Sequence, residues 1–209
     1  ASPSLPRYNL CSVKHGKGLQ MSALEVKPIV AGTELAAIAE NLYVNAFPRE
    51  DKFAFDAMCR FAEGGGAEFS AYLDDKTFCG FSFTLTAGKY LFVLYLATDE
   101  NLRSHGYGTR ALQLLAQEHP GKDFVLDIEL PYEDAPNAEQ RYRRRAFYER
   151  NGFWCTGDVF GVEDNLYLIL TTGETWDRED FLDCARRAHG YLPDYYFGEI
   201  FHFPDEVRR

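Results

Sequence analysis

The sequence predicts an α+β domain in which a mixed, mostly antiparallel central sheet is flanked by helices. Three observations lead there. Strand signals follow one another at Ala67 to Leu73, Thr77 to Thr86 and Lys89 to Thr98. Their joints, Asp74-Asp75 and Ala87-Gly88, are short enough to imply antiparallel hairpins. The last of these strands carries Tyr90-Leu91-Phe92-Val93-Leu94-Tyr95-Leu96-Ala97, a continuous apolar run that marks a central strand buried on both faces.

Each remaining element has its own signal. Leu24 to Val30 alternates as a short strand. Leu35, Ile38, Leu42, Val44 and Ala46 form an imperfect helical stripe after Gly32-Thr33, and Pro48 ends it. Lys52 to Glu63 reads as a second helix with Phe55, Met58, Cys59 and Ala62 on one face, stopped by three glycines. Tyr107 to His119 is a helix closed by Pro120-Gly121, and Phe124 to Leu130 a strand ended by Pro131. Ala138 to Asn151 is a helix with Gly152 as its C-terminal cap. Trp154 to Phe160 and Leu166 to Thr171 make a terminal hairpin across Gly161 to Asn165.

The flanks read differently. Residues 1–20 hold Pro3, Pro6, Gly16 and Gly18 without a sustained period or the apolar core of a signal peptide. They are expected to be a mobile leader or a stretch added upstream of the natural start, with the folded domain at 21–172. In the extension 173–209, Asp177 to His189 is expected to be a helix whose charges suit its dipole. Beyond it Tyr191, Tyr195, Tyr196, Phe197, Phe201 and Phe203 need something to pack on. That is either the edge of the sheet, or a homodimer contact or substrate lid.

With 209 residues, 46% of them hydrophobic, the chain can bury one sizeable core. No apolar run is long enough for a membrane span. Five widely spaced cysteines without a Cys-x-x-Cys pair suit a reducing, cytoplasmic setting and argue against a disulfide framework or structural zinc, and no metal is expected. A formal charge of −10 disfavours nucleic acid and leaves room for a cationic substrate.

The richest stretch is Leu96 to Thr109, where an apolar strand runs into Arg103-Ser104-His105-Gly106-Tyr107-Gly108 and at once into a helix. Glycines permit a tight turn and close approach, and the amides of the turn and the first helical turn converge where the helix dipole favours an anion. A ligand-free glycine turn is the plainer alternative. Gly106-x-Gly108-x-x-Ala111 also fits the dinucleotide fingerprint, with Asp127 near the acidic position. Asp99 to His105 then intervene between strand and first glycine, however, and the βαβ repeats are missing.

The Arg-x-x-Gly-x-Gly pattern resembles motif A of the GNAT N-acetyltransferase superfamily. Leu96-Ala97-Thr98 stands where that family usually has Leu-Ala-Val, and Tyr148 to Phe153 resembles its Tyr-x-x-x-Gly-Phe. The order of elements from Leu24 to Thr171 also follows the family fold, so the resemblance covers about 150 residues. It implies acetyl-coenzyme A as cosubstrate, bound where the fourth and fifth strands splay. It implies that the N–H of Leu96 polarises the thioester carbonyl and that the backbone of Thr98 pairs with the pantetheine arm. The amides of Ser104, His105, Gly106, Tyr107, Gly108 and Thr109 would hold the pyrophosphate, with Arg103 adding charge. His105 reads as a solvated loop residue rather than a base.

Tyr148 takes the family's general-acid position; the alternative is a core tyrosine beside Phe147. Arg141, Arg144 and Arg145 share its helix face, which is expected to favour the phenolate. Arg141 stands where many relatives have an asparagine. Asp127, Glu129, Glu133 and Asp134 cluster at the end of the next strand, where Glu129 is expected to be the base or a relay, or else a solvent-facing carboxylate. Phe47-Pro48 through Phe55 are expected to line the acceptor side. Cys79 and Cys155 read as buried small hydrophobes. The function implied is direct transfer of acetyl to a primary amine of a small molecule or peptide. An acidic site favours a cationic acceptor such as a polyamine, aminoglycoside, lysine or peptide N-terminus. A non-catalytic acyl-coenzyme A sensor is the alternative.

Overall fold

The computed structural model describes residues 23–49, 51–162, 165–191 and 200–202. The leader 1–20 and the aromatics Tyr195, Tyr196, Phe197 and Phe203 lie outside them. The elements run β1 (Glu25–Pro28), α1 (Glu34–Ala46), α2 (Phe55–Glu63), β2 (Glu68–Asp74), β3 (Thr77–Ala87) and β4 (Tyr90–Thr98). After a 3-10 turn (Glu100–Leu102) come α3 (Tyr107–Glu118), β5 (Asp123–Glu129), α4 (Ala138–Arg150), β6 (Trp154–Val162), β7 (Asn165–Thr171), α5 (Arg178–Tyr191) and β8 (Ile200–His202). One sheet holds all eight strands in the order β1-β2-β3-β4-β5-β7-β6-β8. Among the described residues only β4 and β5 pair in parallel, as the intervening α3 crossover requires.

Helices cover both faces. On one, Tyr43, Met58 and Cys59 from α1 and α2 pack on Phe69, Phe81, Phe83 and Tyr95. Phe181, Cys184 and Ala185 of α5 continue that layer over Leu85, Tyr90, Phe92 and Ile169. On the other, Leu112 and Leu115 of α3 and Tyr148 of α4 meet Leu91, Val93, Leu126, Leu168 and Leu170.

α2 starts at Phe55, not at the expected Lys52. The backbone before it is already engaged: the Tyr95 hydroxyl donates to the Asp51 carbonyl at 2.6 Å, and the Phe53 amide donates to the same hydroxyl at 3.2 Å. Tyr43 in turn donates to the Phe53 carbonyl. The two bonds of Tyr95, over forty residues of sequence, outcompete a local helical turn.

β4 carries the feature that shapes the site. Phe83 pairs with Tyr95 and Thr84 with Val93, so Leu94 is an extra, bulged residue. The bulge keeps Phe92 and Tyr95 on one face and bends the strand. The β4–β5 ladder ends just before it, at Phe92 and Val125, and the two strands then diverge.

Candidate active site

Behind the divergence lies a cavity of about 1120 Å³. Its lining includes Leu94 to Thr98 of β4, the glycine turn, Asp127 and Glu129 of β5, Tyr148 of α4, Tyr167 of β7, and Phe47, Pro48 and Asp51 to Ala54 between α1 and α2.

The direction of the β4 amides follows from the ladder. Asp99 donates to the Cys79 carbonyl at 2.9 Å. In an antiparallel pair, hydrogen-bonded positions alternate, so Ala97 and Tyr95 also bond β3. The amides of Leu96 and Thr98 therefore point the other way, into the gap that β5 has left.

The turn between Arg103 and Gly108 is held in unusual backbone geometry. Ser104 (φ 67°) and Gly106 (φ 79°) are both left-handed, and Gly106 is the N-cap of α3. A Cβ on Gly106 would meet nothing within 4 Å, so its φ, not crowding, calls for glycine there. Gly108 serves a different need, since a Cβ on it would come within 2.9 Å of the Phe147 ring. The first intrahelical bond is Arg110 N–H to the Gly106 carbonyl. The amides of Tyr107, Gly108 and Thr109 precede it, and neither a capping side chain nor an acidic residue occupies the first turn. Such an end fits an anionic diphosphate. Tyr107 and Arg110 both bond Asp74, which fastens this end of α3 to the β2–β3 hairpin. Arg103, Ser104, Gly106, Tyr107, Gly108 and Thr109 line the cavity. The His105 ring instead folds over the carbonyls of Leu102 and Arg103, outside the lining.

Tyr148 is buried between Phe147 and Phe153, with ring centroids 5.0 and 5.4 Å away. Burial pushes its hydroxyl up to about 12, and Arg144 opposes this only in part. The expected phenolate is therefore corrected: the group is a protonated phenol, because desolvation outweighs the nearby guanidinium. Arg141 and Arg145 spend their charge elsewhere.

Glu129 explains where. Its carboxylate takes Arg141 Nη2 at 2.8 Å and Arg144 Nη1 at 3.1 Å. Arg141, 6% exposed, also donates to Asn137 Oδ1 at 2.7 Å and to the Leu130 carbonyl at 3.0 Å, and lies over the Tyr132 ring. It braces the end of β5 and the loop to α4. Glu129 is buried rather than facing solvent. Asp127, two residues earlier on the same strand face, accepts no side-chain hydrogen bond among the described residues. Burial and the Asp51 charge push its carboxyl up to about 7 against the pull of Arg144.

Of two further cavity residues, Asp51 falls in the segment expected to line the acceptor side, while Tyr167 carries no signal in the sequence. Asp51 and Tyr167 are 116 positions apart, yet the Tyr167 hydroxyl donates to the Asp51 carboxylate. Desolvation and that bond raise the phenol well above its ordinary value. Only the antiparallel β5–β7 pairing, which sets Tyr167 opposite Glu129, brings it here.

A splayed parallel strand pair thus stands beside an uncapped helix end, with main-chain donors facing one cavity. The acetyltransferase (GNAT) family profile matches residues 33–153, and the chain belongs to that family. Among solved structures, a GNAT-family protein from Bacteroides thetaiotaomicron superposes with a TM-score of 0.67 at 22% identity, covering 82% of this chain and 99% of its own. An aminoglycoside 6'-N-acetyltransferase complexed with coenzyme A gives 0.56 at 14% identity, covering 73% and 99%. The ribosomal-protein-S18-alanine N-acetyltransferase of Escherichia coli gives 0.53 at 17%, covering 74% and 99%. No curated protein matches the chain significantly by sequence.

Proposed function

We propose that this protein transfers an acetyl group from acetyl-coenzyme A to a primary amine of a small molecule or peptide, by direct attack within a ternary complex. One observation carries the reading: the outward amides of Leu96 and Thr98, the first-turn amides of α3 and the Tyr148 hydroxyl open onto a single cavity.

The amides of Ser104 to Thr109, with Arg103, hold the diphosphate. Thr98 pairs with the pantetheine arm as an added strand would. The Leu96 N–H faces the carbonyl oxygen, where negative charge grows as the amine nitrogen bonds the carbonyl carbon. Asp127 takes the proton released by the amine, since a carboxylate near pH 7 is poised for that work. Glu129, expected from the sequence as the base, acts next to it by fixing Arg144. As the carbon–sulfur bond breaks, Tyr148 gives its proton to the departing thiolate and recovers one from solvent. No cysteine nucleophile enters, and the described cysteines are buried.

The test is incubation with radiolabelled acetyl-coenzyme A and a panel of amines, following label transfer and thiol release. Tyr148→Phe should lower turnover by about 10²-fold or more, with calorimetric affinity for coenzyme A unchanged. Binding of coenzyme without transfer across the panel would instead support the non-catalytic sensor. Unchanged turnover in Tyr148→Phe would remove it as the proton donor.

A further inference from the structure

We propose that the acceptor carries two amines and that Asp51, set by Tyr167, grips the one that does not react. The inference rests on the transferase reading and specifies its acceptor.

Asp51 enters the cavity from the segment joining α1 and α2. Its main chain is fixed by the Tyr95 hydroxyl, and its carboxylate is oriented by the Tyr167 hydroxyl. A carboxylate positioned in this way needs little further ordering to take a cation. Tyr167 lies across from Glu129 in the β5–β7 ladder, and Asp127 shares the Glu129 strand face. Asp51 and Asp127 therefore open onto one space, and the repulsion between them raises the proton affinity of Asp127. The charged groups lining the cavity are Asp51, Asp127 and Glu129 together with Lys52, Arg103, Arg143, Arg144 and Arg150, of which Arg143 pairs with Glu139. Arg144 bonds Glu129, and the Lys52 ammonium donates to the Val44 carbonyl at 2.9 Å. Phe47, Phe53, Phe160 and the two tyrosines supply aromatic wall.

Two carboxylates with different duties and a lining of ring faces match an α,ω-diamine. One nitrogen passes its proton to Asp127 and attacks. The other stays an ammonium between Asp51 and the rings, while its methylenes cover the aromatic wall. A monoamine offers nothing to Asp51.

The experiment compares diaminobutane with butylamine, and diaminohexane with hexylamine, by kcat/KM on the full chain. The wild type should favour a diamine about tenfold or more, chiefly through KM. Asp51→Asn should bring the diamine-to-monoamine ratio near one by raising the diamine KM, and Tyr167→Phe should lower the ratio part of the way. Calorimetry with tetramethyl-diaminobutane, whose nitrogens cannot form a stable amide, reads the same grip without transfer and should weaken in Asp51→Asn. Acetylation of monoamines and diamines with equal efficiency, unchanged in both variants, would overturn the inference while leaving the transferase intact. Absence of transfer to every amine would count against the transferase, and calorimetric affinity equal in wild type and Asp51→Asn would then still refute the grip.

Discussion

Asp127 links the stability of the protein to its chemistry. An aspartate ordinarily titrates at 3.8, and here burial and Asp51 move it to about 7. Between those values the unfolded chain has lost a proton that the folded chain keeps. Native stability therefore falls as pH rises through that window, and the deficit persists above it. Asp127→Asn removes the deficit, so its melting temperature at about pH 8 should exceed that of the wild type, by on the order of 2–4 °C per kcal/mol relieved. The same substitution should abolish the acid limb of kcat/KM near pH 7. A scan by calorimetry and a pH–rate profile check the two halves. At this scale the sequence is legible where main chain does the work: Leu96, Thr98 and the glycine turn sit in a local pattern. It is illegible where side chains meet across the fold, as with Asp51 and Tyr167. For Glu129 the carboxylate could be read but not its two guanidinium partners, since a sequence records charges and not pairings.

α4 shows the same gap at the scale of an element. Its inward face is Arg141, Arg144, Arg145 and Tyr148, while Tyr142, apolar on paper, is 44% exposed. Hydrophobic periodicity locates the helix but misplaces its packing side, because this face is satisfied by ion pairs with Glu129 and Glu149. Arg141→Met should destabilise the protein by about 3 kcal/mol, since it orphans part of Glu129, the Leu130 carbonyl and Asn137 together. Arg143→Ala, which breaks only an exposed pair with Glu139, should stay within about 0.5 kcal/mol. Urea unfolding of the two variants distinguishes the cases. A lysine at 141 should not restore the loss, because it lacks the fork that reaches three acceptors.

Over the whole molecule, the chain beyond β7 is joined to the sheet through Asp158. This carboxylate, 1% exposed on a bulged stretch of β6, accepts Trp176 Nε1 at 2.8 Å, Arg178 Nε at 2.8 Å and His202 Nδ1 at 2.7 Å. It thereby ties together the entry to α5 and strand β8. Desolvation works to raise it, yet these donors together hold it below the ordinary carboxylate value. Its contribution is present above the unfolded value and is lost as pH falls through the folded one. Asp158→Asn should cost about 2–4 kcal/mol at neutral pH, and the gap from wild type should close in acid denaturation below about pH 4. The charge pattern of α5 is readable in advance. β8 is not, because three residues carry no period, and their pairing depends on β6 some forty residues away.

The bulge at Leu94 decides whether β4 and β5 stay joined. A β4 one residue shorter could keep every rung it shares with β3, yet it would lie straight and go on zipping along β5. The amides of positions 96 and 98 would then be spent on carbonyls of their own sheet. A single surplus residue thus converts a seam into a slit, with main-chain donors on one lip and carboxylates on the other. Excising it should yield a well-folded protein with nowhere for a thioester to enter.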